Sequence, residues 1–382
     1  MVVSDFMIDH DAASASARVI LLVPGFPEDE RDSTCLPALQ SFVEALSRSG
    51  SGPATDVIAF QYPYQRRSYT WRGVRVHAMG GGNSGFKKPF TWLRALKRGR
   101  RIAAERPAHT TGVIHSFWLG ECALIGSVLA RLLGWRHVVS IGGQEIRRPT
   151  AYSRLLDSSR FVLTAGSEYA ANVAQYGVGR QVDFIIPLGL NSQRVHAVAS
   201  PAERDIDILA VGSMTPVKRF SDVICVVADI AESHPKVRVA LIGDGPCRGN
   251  IESLVKQKGL AAQVRLIGEL PRDEVLRLML RSKVLLHPSE YESQGYIFLE
   301  ALASGSYVVC RDVGFTGQSR KVVRCEDVIA MARAVSRILD SETDYEPVNV
   351  PSADETAEAF LELYRSPSYF NDFGGTSHLR TP

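Results

Sequence analysis

The stretch His287-Pro-Ser-Glu-Tyr-Glu-Ser-Gln-Gly-Tyr-Ile-Phe-Leu-Glu-Ala-Leu-Ala-Ser-Gly305 sets two acids, Glu292 and Glu300, eight residues apart with Gly295 between them. It follows the apolar run Lys283-Val-Leu-Leu-His287, so a strand ends at His287-Pro288, and a helix starts near Gly295 or Tyr296. Free backbone N–H groups at that helix start, Gly295 to Ile297, make an anion site, and a glycine there lets a phosphate approach closely. Glu292 in the loop would accept hydrogen bonds from hydroxyls on one side. Glu300, about one and a half turns into the helix, would clamp a vicinal diol on the other. The arrangement suits a nucleoside diphosphate sugar. The alternative reading of the spacing is plainer: Glu292 caps the helix and Glu300 is a surface residue.

Outward from this stretch the chain alternates short β-branched runs with longer stretches of 3.6-residue apolar spacing. RVILLV (18–23), DVIAFQY (56–62), TGVIHSF (111–117), RHVVSI (136–141) and RFVLTAG (160–166) form a first set. IDILAVGS (206–213), KVRVALIGDGP (236–246), QVRLIGEL (263–270), KVLLHPS (283–289) and SYVVCRD (306–312) form a second, after a polar pause at 192–205. The pattern predicts two doubly wound α/β domains with parallel sheets, 1–195 and 196–350, their strand ends facing across one cleft. A helix at about 326–340, a link at 346–354 and an amphipathic segment at 355–366 follow. Residues 351–382 read as a crossover helix and a disordered tail.

Length and composition agree. The 382 residues are 45% hydrophobic and 22% charged, which excludes disorder and coiled coil for the body of the chain. Six cysteines lie scattered with no CxxC pair, which argues for a reducing compartment and against a zinc site. The first 23 residues lack a signal-peptide pattern and no stretch is apolar enough to span a bilayer, so the expectation is a cytoplasmic protein. Residues 1–195 carry 23 basic and 15 acidic side chains and residues 196–382 carry 21 and 26, a charge of +8 against −5. A basic first half faces an anionic partner or is simply a solvated surface.

The segment 287–305 resembles the E-x7-E signature of the retaining glycosyltransferase family 4, whose fold is the two-domain GT-B architecture. Other pieces fall in that family's order: IIPLGLN (185–191), VGSMTPVKRF (211–220), LIGDGP (241–246) and VRLIGEL (264–270). The resemblance implies that the final helix returns to the first domain and that the chain moves a hexose from a nucleoside diphosphate sugar, uridine favoured over guanosine, to a hydroxyl acceptor. It implies ribose binding by Glu300, donor-sugar contact by Glu292 and neutralisation of the leaving diphosphate by Lys218. Gly212, Ser213, Gly268, Leu270, Gly295, Tyr296 and Ile297 would complete the donor site. His115 would contact the donor sugar near its reacting centre, its alternative being a satisfied core histidine. Glu145, Ser33 and Thr34 would stand on the acceptor side; Glu145 could instead pair with Arg147 or Arg148. No nucleophile backed by an acid is in evidence, and the resemblance implies same-face displacement, the leaving phosphate helping to deprotonate the acceptor, over a two-step carboxylate mechanism. No metal, cofactor or nucleic acid is expected.

The sequence also departs from the family pattern. Ser213 stands where an arginine is usual, with Arg219 or Arg311 as substitutes; the paired glycines of the first loop are replaced by GFPEDERDST (25–34), with Ser33 and Thr34 at a helix start; and 313–327 is short. Between 87 and 107, eight cations face one acid, Glu105, alongside Phe90, Trp92, Leu93 and Leu96. This stretch reads as peripheral contact with an inner membrane face or an anionic, lipid-linked acceptor, or as a helix packed on the sheet. Asp205 and Asp207 have metal-ligand spacing but open a strand, away from its carboxyl end. Two rivals remain: an epimerase or phosphorylase on the same fold, and a nucleotide-sugar binder without turnover.

Overall fold

The computed structural model describes residues 18–49, 52–105, 112–148, 150–197, 203–314 and 319–366. Its first sheet contains β1 (Arg18–Gly25), β2 (Ala54–Tyr62), β3 (Arg67–Trp71), β4 (Val74–Ala78), β5 (Gly112–Phe117), β6 (Arg136–Ile141), β7 (Val162–Ala165) and β8 (Phe184–Ile185). Their order is β3-β4-β2-β1-β5-β6-β7-β8, parallel except for the antiparallel pair β3/β4. The second sheet contains β9 (Ile206–Val211), β10 (Val239–Ile242), β11 (Val264–Gly268), β12 (Ser282–His287), β13 (Tyr307–Cys310) and β14 (Val322–Arg324), in the order β11-β10-β9-β12-β13-β14, all parallel. The central strands are mainly apolar and buried, with their charged residues near the strand starts, as sheets covered on both faces require.

Helices α1 (Pro37–Arg48), α2 (Lys88–Ala104), α3 (Glu121–Leu133), α4 (Ala151–Leu155), α5 (Glu168–Val178) and α6 (Ser192–Ala197) accompany the first sheet in sequence. They are followed by α7 (Phe220–Ala231), α8 (Arg248–Gln257), α9 (Arg272–Leu280), α10 (Tyr296–Ala303), α11 (Val328–Asp340) and α12 (Ala353–Arg365). The expected polar pause therefore contains the short α6. Residues 198–202, the N-terminal residues 1–17 and the expected disordered tail beyond 366 lie outside the described residues.

The β3–β4 hairpin was not among the expected strands. Arg72 and Gly73 both have positive φ, 44° and 82°, the tight two-residue turn that joins antiparallel strands. The runs Arg67–Trp71 and Val74–Ala78 carry the signal, masked by the charged Arg67 and Arg75 within them.

The chain ends by recrossing to the first sheet. Ser352 caps α12 by accepting from Glu355 N at 3.1 Å, and the helix buries Phe360, Leu361 and Tyr364 with Phe42 and Leu46 of α1. Gly189 permits the crossing, because a Cβ there would collide with Ser352 O. Leu190 N donates to Pro351 O and Ala353 N to Leu190 O, both at 2.8 Å.

Candidate functional site

The loop between β12 and α10 is the centre of the site. Gly295 caps α10 with φ 72° and ψ 58°, and a Cβ there would stand 2.5 Å from the Phe298 ring, so glycine is required on two counts. Nothing on the side-chain side caps this end, which leaves the amides of the first turn open to an anion.

Glu292 is almost enclosed. One of its oxygens, Oε1, pairs with Lys218 Nζ and takes a 2.6 Å hydrogen bond from the buried His287 Nε2. Burial alone raises its pKa, but the His287 hydrogen bond and the charges of His287 and Lys218 more than reverse this, holding it at about 2. Glu292 is therefore a permanent carboxylate at neutral pH. Lys218 ends a short 3-10 turn, Pro216–Lys218, and Arg219 follows with φ 52° to start α7. That backbone turn delivers the ammonium to the acid. Glu292 and Gly295 line a cavity of about 250 Å³ whose far wall is Trp118, Ser140 and Thr164 of the first sheet's strand ends.

Glu300 lines a second cavity, of about 430 Å³, with Gly212, Ser213, Leu270, Ile297, Ser33 and Thr34. It is 4% exposed and paired with the equally buried Arg272, whose guanidinium lies 5.0 Å over the Tyr296 ring. Its Oε1 stands against that guanidinium yet receives no hydrogen bond among the described residues. Burial raises the Glu300 pKa, opposed by Arg272 and Arg194. Gly243 and Gly245, with φ 127° and 154°, let the second glycine turn lie directly on Gly212 and Met214, where Cβ atoms would strike backbone oxygens. Gly268 (φ 91°), expected in the donor site, does not line this cavity; its carbonyl accepts from Gly243 N, a lining residue, at 2.8 Å. Thus Ser33, Thr34, Gly212, Ser213, Leu270, Ile297 and Glu300 come together, while Glu292, Gly295 and Tyr296 share the neighbouring cavity.

Several expectations need correction. His115 does not face the cleft: it lies in mid-strand, 0% exposed, with Nδ1 2.5 Å from Tyr364 Oη, Nε2 2.7 Å from Ser140 Oγ, and its ring stacked on Phe117 at 4.3 Å. Burial, and then His137, push its pKa well down, so it is a neutral core histidine that stands behind Phe117, Ser140 and Phe360 of the cavity wall. Ser33 and Thr34 are not at a helix start, since α1 begins at Pro37 behind Leu36 (φ 51°), and they line the Glu300 cavity. Ser33 Oγ accepts from Arg272 N at 3.2 Å. Glu145 pairs with neither neighbouring arginine; it accepts from Gly142 N and Gly143 N at 3.1 and 3.2 Å, with its pKa raised by burial. The substitutes for the missing arginine are both engaged: Arg219 and Arg311 each stand 3.2 Å from Asp222. Glu300 is a buried residue, so the surface alternative falls. Asp205 and Asp207 pair with Arg281 and Lys283.

Sequence reasoning missed His287, Arg272 and Gln294. Gln294 Nε2 donates to Leu188 O at 2.7 Å and its Oε1 accepts from Leu188 N at 2.8 Å, the geometry of one strand step. With Tyr291 Oη to Gly143 O (2.7 Å), Ser293 Oγ to Gly142 O (2.8 Å) and Tyr296 Oη to Ser41 Oγ (3.0 Å), it ties the loop to the first sheet's side. A polar run between a strand and a helix was the available signal.

Part of the chain is similar in sequence, and most of it in fold, to known proteins. Residues 191–349 match the family described as glycosyl transferases group 1, the span that holds both acids and Lys218. Over 131 residues the chain is 31% identical to the phosphatidylinositol N-acetylglucosaminyltransferase gpi3 subunit of Schizosaccharomyces pombe, covering 34% of this chain and 29% of that one. It is 25% identical over 338 residues to glycogen synthase of Mycobacterium tuberculosis, covering 81% and 80%. The chain thus spans less than a third of the length of the first relative and four fifths of the second. Among solved structures, Anabaena HepE in complex with UDP and glucose superposes with a TM-score of 0.61 at 14% identity, over 93% of this chain and 97% of that one. The fold is GT-B. No helix among the described residues is long and apolar enough to cross a membrane.

Proposed function

We propose that the chain transfers a hexose from a uridine diphosphate sugar to a hydroxyl acceptor, with retention at the anomeric carbon and no resident metal or cofactor. The observation that carries this reading is a pair of acids in opposite environments on one loop and helix: Glu292 held ionised at one cavity and Glu300 held as a buried acceptor at the next. Glu300 would accept from the ribose hydroxyls in the cavity that Leu270 and Ile297 close. The open amides at the start of α10 and the Lys218 ammonium would meet the diphosphate, stabilising the charge that grows on its oxygen as the glycosidic bond breaks. Glu292, unable to donate a proton, would accept from a sugar hydroxyl and oppose the positive charge at the anomeric carbon. The acceptor proton would pass to the leaving phosphate oxygen on the same face. HepE, solved with UDP and glucose, shares the fold and supports uridine. The reading places the enzyme in the cytoplasm with α2 against the inner membrane face, supported by the exposed Phe90 and Leu93 among its cations and by Phe86 in the turn just before it.

A nucleotide-sugar binder without turnover is the second reading, favoured by the engagement of Arg219 and Arg311 with Asp222. A thermal-shift series separates the cases. UDP at about 100 times its dissociation constant should add about 2.7 kcal/mol of stability, with ADP and GDP weaker, and mass spectrometry of UDP-sugar incubations with hydroxyl acceptors should find a glycoside. No shift with any nucleoside diphosphate would refute both readings; a shift without product under any acceptor would leave the second.

A further inference from the structure

A third cavity, of about 540 Å³, lies between the β3–β4 hairpin and α2. Its charged lining is Arg66, Arg67, Arg94, Lys97, Arg98 and Arg101, with no acid. Glu105, the acid of the basic stretch, is taken by Arg75 at 2.9 Å and Arg18 at 3.6 Å on the other side. Among the described residues no carboxylate pairs with Arg66, Arg94, Lys97, Arg98 or Arg101, whereas Arg67 meets Glu28 at 3.1 Å. Arg67 Nε is a buried donor without a partner among the described residues. Arg94 is steered to the wall by Met79 O, 3.3 Å from its Nη1.

These charges are held in place by packing. Thr91, Ala95, Gly99 and Ile102 fix the opposite face of α2 in the core, so the cations cannot spread apart by moving the helix. Like charges around one concavity repel, and the low-dielectric wall strengthens both that repulsion and the attraction for an anion. Guanidinium forks match tetrahedral oxyanions in paired hydrogen bonds. The cavity also opens in a telling place. Arg67 pairs in register with Ala78 at the carboxyl edge of β4, the edge where the parallel strands of this sheet end. Arg67 also donates to Glu28 O at 2.6 Å, and Tyr69 to Pro27 O, binding the hairpin to the 25–34 loop that carries Ser33 and Thr34 into the Glu300 cavity.

We propose that the cavity between the β3–β4 hairpin and α2 binds a phosphate or diphosphate group carried by the acceptor, so that the acceptor of this enzyme is a phosphorylated molecule. This assignment of acceptor class rests on the glycosyltransferase reading above; the anion site itself does not. The test uses the full chain saturated with UDP, so that the donor site is filled, and titrates it with inorganic pyrophosphate by calorimetry at physiological ionic strength. Binding by the wild type is expected. The triple variant Arg94→Gln, Lys97→Gln, Arg98→Gln should bind pyrophosphate about tenfold more weakly or worse, with UDP affinity unchanged and thermal stability equal or higher, since repulsion is relieved. No heat from pyrophosphate in the UDP-saturated wild type, or equal affinity in the triple variant, overturns the proposal. A parallel flotation uses vesicles of phosphatidylcholine alone or mixed equally with phosphatidylglycerol. Flotation of the wild type with the anionic vesicles but no binding of pyrophosphate would replace the pocket by a flat membrane contact, and so also overturns it. Failure of UDP to bind would sink the donor reading while the pyrophosphate result still decides the anion site.

Discussion

Lys218, Glu292 and His287 act as one unit, which changes what single substitutions do. Lys218 and Glu292 were assigned to diphosphate and sugar separately, yet they touch, so each variant leaves a charge without its partner. Lys218→Ala and Glu292→Gln should therefore be non-additive in unfolding free energy, by roughly 0.5–3 kcal/mol in a double-mutant cycle; additive effects would mean that the pair is open in solution. Glu292 also predicts a pH dependence. Its pKa is depressed from 4.5 to about 2, so its stabilising effect is complete above pH 4.5 and is lost as pH falls through about 2. Between those limits the stability gap between wild type and Glu292→Gln should narrow by roughly 3 kcal/mol, read from denaturant titrations at stepped pH. A gap independent of pH would reject the depressed pKa. Glu300→Gln should weaken UDP binding by roughly ten- to a hundredfold through loss of a charge-assisted hydrogen bond, and unchanged affinity in the folded variant would remove Glu300 from the ribose. Both acids and the lysine were legible because their positions depend on local spacing between a strand end and a helix start. Arg272 and His287 were not, because what makes each functional is a partner supplied by the fold: α9 bringing Arg272 to Glu300, and the turn of the loop bringing Glu292 back over His287.

At the scale of elements, glycines decide what approaches what. Gly295→Ala should destabilise by about 1–3 kcal/mol, because the left-handed backbone and the Phe298 ring both resist a Cβ. It should also weaken UDP-sugar binding by disturbing the first turn of α10. Gly189→Ala should cost a similar amount by pushing α12 off the crossing at Ser352, with no direct effect on a ligand; equilibrium unfolding and donor titration together distinguish the two. Central strands such as β1, β5, β9 and β12 were legible as uninterrupted apolar runs. The β3–β4 hairpin was not, since the edge strand β3 exposes every other residue and the arginines of both strands read as loop. Its place in the fold is what gathers Arg66 and Arg67 with the cations of α2.

Across the whole molecule, the loop 291–296 and α12 join the two sheets at separate points. Calorimetry of the wild type should show one unfolding transition. Gln294→Ala removes both bonds to the Leu188 backbone and should lower the unfolding temperature or split the transition in two, most clearly without UDP; an unchanged single transition would show that the Gln294 bonds are not needed to couple the halves. The sequence by itself determined that two parallel α/β sheets follow one another, that the second carries the acid pair and the lysine, and that the basic excess lies in the first half. These depend on patterns within a few turns or strands of chain. Only the tertiary structure decided that His115 is a core residue, because α12, 249 residues away in sequence, lays Tyr364 against it. It alone brought Ser33 and Thr34 to Glu300, closed Lys218 on Glu292, and gathered the arginines of the hairpin and α2 around one cavity. In each case the deciding quantity is a side chain's distance to a partner remote in the chain, which burial and packing set and local spacing does not contain.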